Sequence, residues 1–482
     1  MLVQQGRLDE AEQQARLALS NPETRAVAYS VLGTIRSQQK RFDESVGFFQ
    51  KAIALNSRLL GAHLSLGQIY TLQGKSQQAL SMFQRALELD PLNPVARLAV
   101  AHAETDKGNY RRSLDLAQPV LDDFKHSPEG LYVLATDYLK TGDRTAVAEL
   151  LKDWARLEAL PVDWSVKFAV LLAKEGFVAE SIGVLEAAKR ATGPTYELAF
   201  NLGGVYLLNS DTARALDAYD LALTLEPGSI AALRQAAALA EGQGELERSL
   251  SYWVRARKID PNDPEILLGF GRVCLKMDLL EDAEPALTKA ASLKPEEPSY
   301  QYTLAAAKVG KRQFEAAQAL LEPLVQKRPA DPQLQYALGA VLYIQGRLDE
   351  AAAYLRESVR LQPEQLASHY YLALIARDQG KDAEATDALE KLLQRYPYHA
   401  PSCEALGGLL MTAARYDDAE KALREAVRLS PKSVKANYQL GLLLARMGKQ
   451  EEAARQLELA KSLRQEDEAT SRLQLRLLDP DK

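Results

Sequence analysis

Only two cysteines occur in the 482 residues, Cys274 and Cys403, and they lie 129 positions apart. One distant pair makes no disulfide framework and there is no C-x-x-C, so both read as small buried residues. The five histidines (His63, His102, His126, His369, His399) are scattered, without H-E-x-x-H or any paired spacing. They read as ordinary surface or packing residues, and no metal site is expected. No apolar run approaches the ~20 residues of a membrane helix, so no membrane insertion is expected. Positive charge is not in surplus: 59 Lys and Arg face 65 Asp and Glu, a net charge of −6. An acidic balance argues against a nucleic-acid or anionic-membrane binder, since both depend on excess Lys and Arg. No G-x-S-x-G, dinucleotide fingerprint or Cys/His constellation appears, so the chain is not read as an enzyme. No cofactor and no small-molecule substrate are expected either. The closest approach to a phosphate loop is Gly74-Lys75-Ser76, but that signature needs Gly at position 69, where Ile69 stands.

What is present is apolar and periodic. Hydrophobic residues make up 47% of the chain, enough for a buried core, while aromatics are only 7%. Ala and Leu dominate, which favours helices over sheets. Leu32-Gly33, Leu66-Gly67, Leu202-Gly203, Leu338-Gly339, Leu406-Gly407 and Leu440-Gly441 are separated by multiples of 34. Counted from Ala26, thirteen units of 34 run without insertion or deletion to residue 467.

Within a unit, the eighth slot is always Gly or Ala, and the twentieth is Ala or Ser except at Val147. The twenty-fourth is Leu, Phe, Tyr or Trp except at Ala117, and Pro fills the thirty-second from Pro227 to Pro431 without interruption. Slots 4, 7, 8 and 11 share one helix face, and slots 17, 20, 24 and 27 share one face of a second helix. Gly in the fifteenth slot, as at Gly74, Gly142, Gly346 and Gly448, ends the first helix in the left-handed conformation. The late Pro stops the second helix.

These landmarks resemble those of the tetratricopeptide repeat family, over residues 26–467. The resemblance implies an all-α fold, a right-handed α-solenoid superhelix of helix-turn-helix units. Gly67 and Gly74 are then two slots of one repeat, which explains the false phosphate loop. The domain reading is a partial unit over 1–25, thirteen units over 26–467, and a C-terminal capping helix or tail over 468–482.

Gly6, Leu8, Ala11, Ala15 and Ala18 match slots of a further unit whose first helix does not fit in the five preceding residues. An upstream extension of the natural protein is therefore expected; the alternative is a frayed terminal helix. The opening MLVQQGRLDEAEQQARL has neither a basic start nor an apolar stretch of roughly 7–15 residues, so no export signal is visible. A cytoplasmic location is the reading as the sequence stands, and an exported one if a signal segment lies upstream. Units 3 to 5 (residues 94–195) fit the consensus least well. Trp154 there replaces the usual Ala and is expected to force helices apart, as a kink or as a second contact region.

A separate stripe of the first helix holds slots 2, 5, 9 and 12, which in the family line a concave groove for peptides or protein segments. Tyr302, Tyr336 and Tyr370 fill the fifth slot of units 9 to 11, with Tyr343 in a twelfth slot and Tyr371 in a sixth. Tyr offers large, rigid contact area and a hydroxyl, which suits recognition; equally, Tyr in this slot packs on the adjacent first helix. Arg234, Arg272 and Lys276 form a second, basic candidate for a carboxylate or phosphate, unless an acid such as Glu241 pairs with them. The Lys and Asn clamp of chaperone-tail binders is missing. So is the Asn ladder of O-linked N-acetylglucosamine transferases, since Asn201 is the only Asn in the sixth slot.

The expected function is a non-catalytic interaction scaffold that binds a protein or peptide in this groove. Two alternatives stay open. One is the substrate-selecting arm of a larger enzyme or sensor whose catalytic part lies upstream of Met1. The other is a structural subunit of an envelope or secretion assembly.

Overall fold

The computed structural model describes residues 2–467, so the expected capping segment at 468–482 lies outside the described residues. Among the described residues the ordered elements are helices. The chain divides into two compact units, one ending at Ala232 and the other beginning at Leu233.

The helices recur with the sequence period. Leu60–Leu72, Pro94–Asp106, Pro128–Thr141 and Val162–Lys174 are first helices of their repeats, as are Pro264–Lys276, Pro298–Gly310, Pro332–Ile344 and Leu366–Asp378. Their starts follow a shared signal. Pro stands at the first helical position of Pro94–Asp106, Pro128–Thr141, Pro264–Lys276 and Pro332–Ile344. The preceding Asn93, Ser127, Asp263 or Asp331 accepts a hydrogen bond from a first-turn N–H. Pro pre-sets the helical φ where no donor is lost, and the cap answers an orphan N–H.

Their ends are as uniform. The residue in the fifteenth slot has positive φ in every unit, whether it is glycine (Gly74, Gly142, Gly380) or one of Lys40, Ser210, Asp278, Arg312 and Ala414. The turn geometry thus holds even where the residue disfavours it. This is a property of the repeat, imposed by the packing of the two helices it joins.

The two helices of a repeat touch where side chains are small. A Cβ added to Gly67 would meet Phe83 at 2.9 Å, and one on Gly203 would meet Tyr219 at 2.8 Å. Each pair joins slots 8 and 24 of one repeat, which explains why one stays small as the other stays large. Buried serines in slot 20 add a tie: Ser45 Oγ donates to Gly33 O at 2.6 Å, Ser181 Oγ to Ala169 O at 2.7 Å and Ser249 Oγ to Ala237 O at 2.8 Å. First helices of successive repeats also touch one another: Pro332–Ile344 packs on Leu366–Asp378, and Tyr302 of Pro298–Gly310 meets Gln333 of Pro332–Ile344.

The irregular stretch lies in the first unit. A second helix there is broken into Tyr110–Ala117, a 3-10 turn at Gln118–Val120 and Leu121–Lys125, because Pro119 cannot donate within a helix. The helix Arg144–Trp154 stops at its tryptophan, whereas the comparable Phe42–Leu55 runs three residues further. Trp154 is buried, with its ring 4.4 Å from that of Phe168. The bulk expected to part the helices is accommodated by ending one of them early.

Candidate functional site

Tyr371 is the hub of an aromatic cluster built by the first helices Pro332–Ile344 and Leu366–Asp378. Its ring lies 5.3 Å from Tyr343, 5.6 Å from Tyr370 and 6.1 Å from Tyr336, centre to centre. Tyr370 in turn meets the His399 ring edge-on at 5.2 Å. Slots 5 and 12 of one repeat and slots 5 and 6 of the next are thereby brought together, because neighbouring first helices lie side by side. Edge-to-face rings of this kind add about 0.5–1.5 kcal/mol per pair beyond their burial.

The tyrosines fall into two groups. Tyr336 is 1% exposed and sits inside the core with Leu338, Leu355 and Leu321, so its ring is packing and is not presented at the surface. Tyr302, Tyr343, Tyr370 and Tyr371 are half-buried. Burial raises the hydroxyls of Tyr302 and Tyr371 above the ordinary tyrosine range and pushes Tyr370 up to about 12. Burial also raises Tyr343, helped by the hydrogen bond its hydroxyl donates to Asp378 Oδ2 at 2.8 Å. All remain protonated phenols at neutral pH and do not act as bases, and Tyr343 has already given its one donor to Asp378.

Slot 9 is small in both repeats: Ala306 is half-buried beside Tyr302, whereas Ala340 is buried in the core. Tyr302 accepts a hydrogen bond from Gln333 Nε2 at 3.3 Å, which anchors its ring to the next repeat.

The three cations of the basic candidate are all held by carboxylates. Arg272 makes a two-pronged pair with Glu241, at 2.9 Å from Nε and 2.7 Å from Nη2. Lys276 reaches the same Glu241 at 3.1 Å, and Arg234 pairs with Glu265. Each cation thus has a carboxylate partner, and an incoming anion has to compete with partners already seated.

A spacing rule underlies these contacts. Arg234 and Glu265, Tyr302 and Gln333, Glu404 and Lys435, and Glu241 and Arg272 are each 31 residues apart; the Glu404–Lys435 pair closes at 2.7 Å. Slot 5 meets slot 2 of the next repeat, and slot 12 meets slot 9. That regularity was the signal by which these partners could have been read from the sequence. His399 joins the aromatic cluster from the residue just before Ala400–Thr412, a position that the histidine scan alone does not mark.

Among the described residues no group of three or more His, Cys, Asp or Glu is placed to hold a metal ion. Burial pushes the thiols of Cys274 and Cys403 up to about 11, which leaves both unreactive at neutral pH. Among the described residues no helix is long and apolar enough to cross a membrane.

A family model described as a tetratricopeptide repeat matches residues 24–91, and a second of the same description matches 166–230, 302–365, 351–400 and 405–467. No curated protein matches the chain. Among solved structures, a tetratricopeptide repeat protein from Parabacteroides merdae ATCC 43184 is 18% identical with a TM-score of 0.42, over 48% of this chain and 92% of that one. The APC/C hetero-tetramer Cut9-Hcn1 is 13% identical with a TM-score of 0.44, over 90% of this chain and 93% of that one. YrrB, titled a TPR protein with an unusual peptide-binding site, is 16% identical with a TM-score of 0.34, over 41% of this chain and 97% of that one.

Proposed function

This chain belongs to the tetratricopeptide repeat family, and on that premise we propose that it is a non-catalytic scaffold that holds an extended protein segment. Such repeats serve protein interaction in general; the finer reading concerns where the segment lies. The single observation behind it is the half-buried cluster of Tyr343, Tyr370 and Tyr371, with the half-buried Tyr302 and small Ala306 on the adjoining first helix.

The chemistry suits an extended chain. Aromatic faces supply apolar contact at low entropic cost, because a phenol ring has only two side-chain torsions. The protonated hydroxyls of Tyr370 and Tyr371 can donate to the carbonyls of a backbone that forms no hydrogen bonds of its own. The basic triad Arg234, Arg272 and Lys276 serves mainly to lock neighbouring repeats.

The test is affinity capture from the native host with wild type and an Ala306→Arg variant. The new side chain would place a long charged group on this layer beside Tyr302. Loss of a specific partner, with helical content unchanged by circular dichroism, supports the reading. An unchanged set of partners removes this surface from consideration.

A further inference from the structure

Three rings from three successive repeats of the first unit meet at a point the tyrosine surface does not include. His102, on Pro94–Asp106, lies 6.2 Å from Tyr132 on Pro128–Thr141 and 6.0 Å from Trp164 on Val162–Lys174. Tyr132 and Trp164 are 5.7 Å apart, which closes a triangle. All three rings are half-buried, so part of each faces outward.

The charges around this triangle are mostly acidic. Glu129 Oε1 is 2.6 Å from His102 Nδ1, and Asp106 lies 3.9 Å from Nε2 of the same ring. One permanent cation is already present, Lys167, whose Nζ stands 4.3 Å from the centre of the Trp164 ring; His102 adds a second when protonated, a state that burial opposes and the hydrogen bond with Glu129 favours. Lys167 is exposed and has no ion pair among the described residues. Lys167 is one turn along the same helix from Trp164, and its ammonium rests on the indole face with water open on its other side. The ring quadrupole presents negative potential to an approaching cation, most strongly for tryptophan.

We propose that His102, Tyr132 and Trp164, with Glu129 and Asp106, form a seat for a cationic side chain of a bound protein segment, and that Lys167 is its internal occupant when the partner is absent. A guanidinium suits the seat better than an ammonium. It is planar, stacks on aromatic faces, and can reach a carboxylate with a second N–H. The seat is independent of the tyrosine surface and stands or falls separately from it.

The inference makes Lys167 a competitor, and this separates it from a plain packing role. The probe is N-acetyl-arginine amide, titrated at constant ionic strength while Trp164 fluorescence is followed; Trp154 and Trp253 are buried and should contribute a constant signal. N-acetyl-citrulline amide, of similar shape without the charge, is the control. The expected result is saturable quenching by the arginine probe and none by citrulline. Lys167→Ala should lower the half-saturating concentration by about two- to fivefold, since a face-on cation contributes roughly 0.5–1 kcal/mol at an exposed site. Equal quenching by citrulline overturns the proposal, and so does a Lys167→Ala variant that binds the arginine probe no better than wild type. Tyr132→Phe should keep the response while Tyr132→Ala weakens it in a chain of unchanged helical content. Equal responses from those two would overturn the role of the ring.

Discussion

The backbone of Gly407 lies directly against the side chain of Leu423: a Cβ built on the glycine would stand 2.5 Å from Leu423 Cγ and 2.7 Å from Cδ2. That contact closes the two helices Ala400–Thr412 and Tyr416–Leu429 on each other. The same slots meet at Gly271 and Leu287, and at Gly339 and Leu355. Gly407→Ala should therefore destabilise the chain by about 1–3 kcal/mol, the usual cost of overpacking a filled core. Gly183 is the control. It lies inside Val178–Thr192 with nothing within 4 Å of an added Cβ. Gly183→Ala should stabilise by about 0.5–1 kcal/mol through helix propensity. Urea unfolding of the two variants gives the comparison.

Five repeats carry a residue other than glycine at the left-handed turn. Arg312 has φ +59° and Ala414 has φ +58°, a conformation that costs a side-chain-bearing residue about 1–2 kcal/mol. Arg312→Gly and Ala414→Gly should each raise stability by about 1 kcal/mol, and Gly380→Ala, at φ +74°, should lower it by a similar amount. Thermal unfolding of the three variants measures this.

Asp137 supplies a pH dependence. Its side chain is 0% exposed, with Oδ1 accepting from Thr105 Oγ1 at 2.8 Å and Oδ2 without a partner. Burial raises its pKa to about 6; hydrogen bonds from Ser113 and Thr105 and the charge of His102 oppose the rise. The folded state therefore binds this proton more tightly than the unfolded chain does. The stabilisation is complete below the ordinary aspartate pKa of about 3.9 and is lost as pH rises through about 6. Asp137→Asn should gain stability relative to wild type as pH rises from 4 to 7, by roughly 1–2 kcal/mol. Amide exchange in Pro128–Thr141 at several pH values reads the difference locally. A constant difference would contradict it.

At the other end of the scale, hydrogen bonds from Arg36 and Arg16 hold the Glu12 carboxyl down at about 2, and Arg36 Nη2 is 2.7 Å from its Oε1. The contribution is present above the ordinary glutamate range and fades as pH falls toward 2. Glu12→Gln should thus loosen the contact between Leu8–Ala18 and Arg25–Gln38 at pH 7 and change little at pH 2. Exchange rates in Leu8–Ala18 at the two pH values show whether it does.

Much of this architecture is legible in one sequence because every repeat restates the same geometry. The fifteenth slot, read from its glycines, is a left-handed turn even at Arg312, where the residue type argues otherwise. The fate of the fifth slot is less legible. Tyr336 is buried while Tyr438, in the same slot, is 51% exposed. What differs is the neighbour: Tyr371 of the next repeat packs near Tyr336, whereas no later repeat among the described residues lies beside Tyr438. Periodicity gives the direction of a side chain, but its cover depends on a residue about 31–35 positions away. The triangle of His102, Tyr132 and Trp164 is illegible in the sequence for the same reason, since its members are 30 and 32 residues apart and share no motif.

The central claim is that the layer of first helices around Tyr343 and Tyr371 receives an extended protein segment. The most direct measurement is photo-crosslinking from a benzoylphenylalanine placed at Gln333, exposed at slot 2 of that layer, and at Lys421, exposed on the second helix Tyr416–Leu429. The account predicts an adduct from Gln333 that maps by mass spectrometry to one continuous peptide of a partner, with none from Lys421. Adducts from Lys421 alone, or the same adducts from both positions, would contradict it.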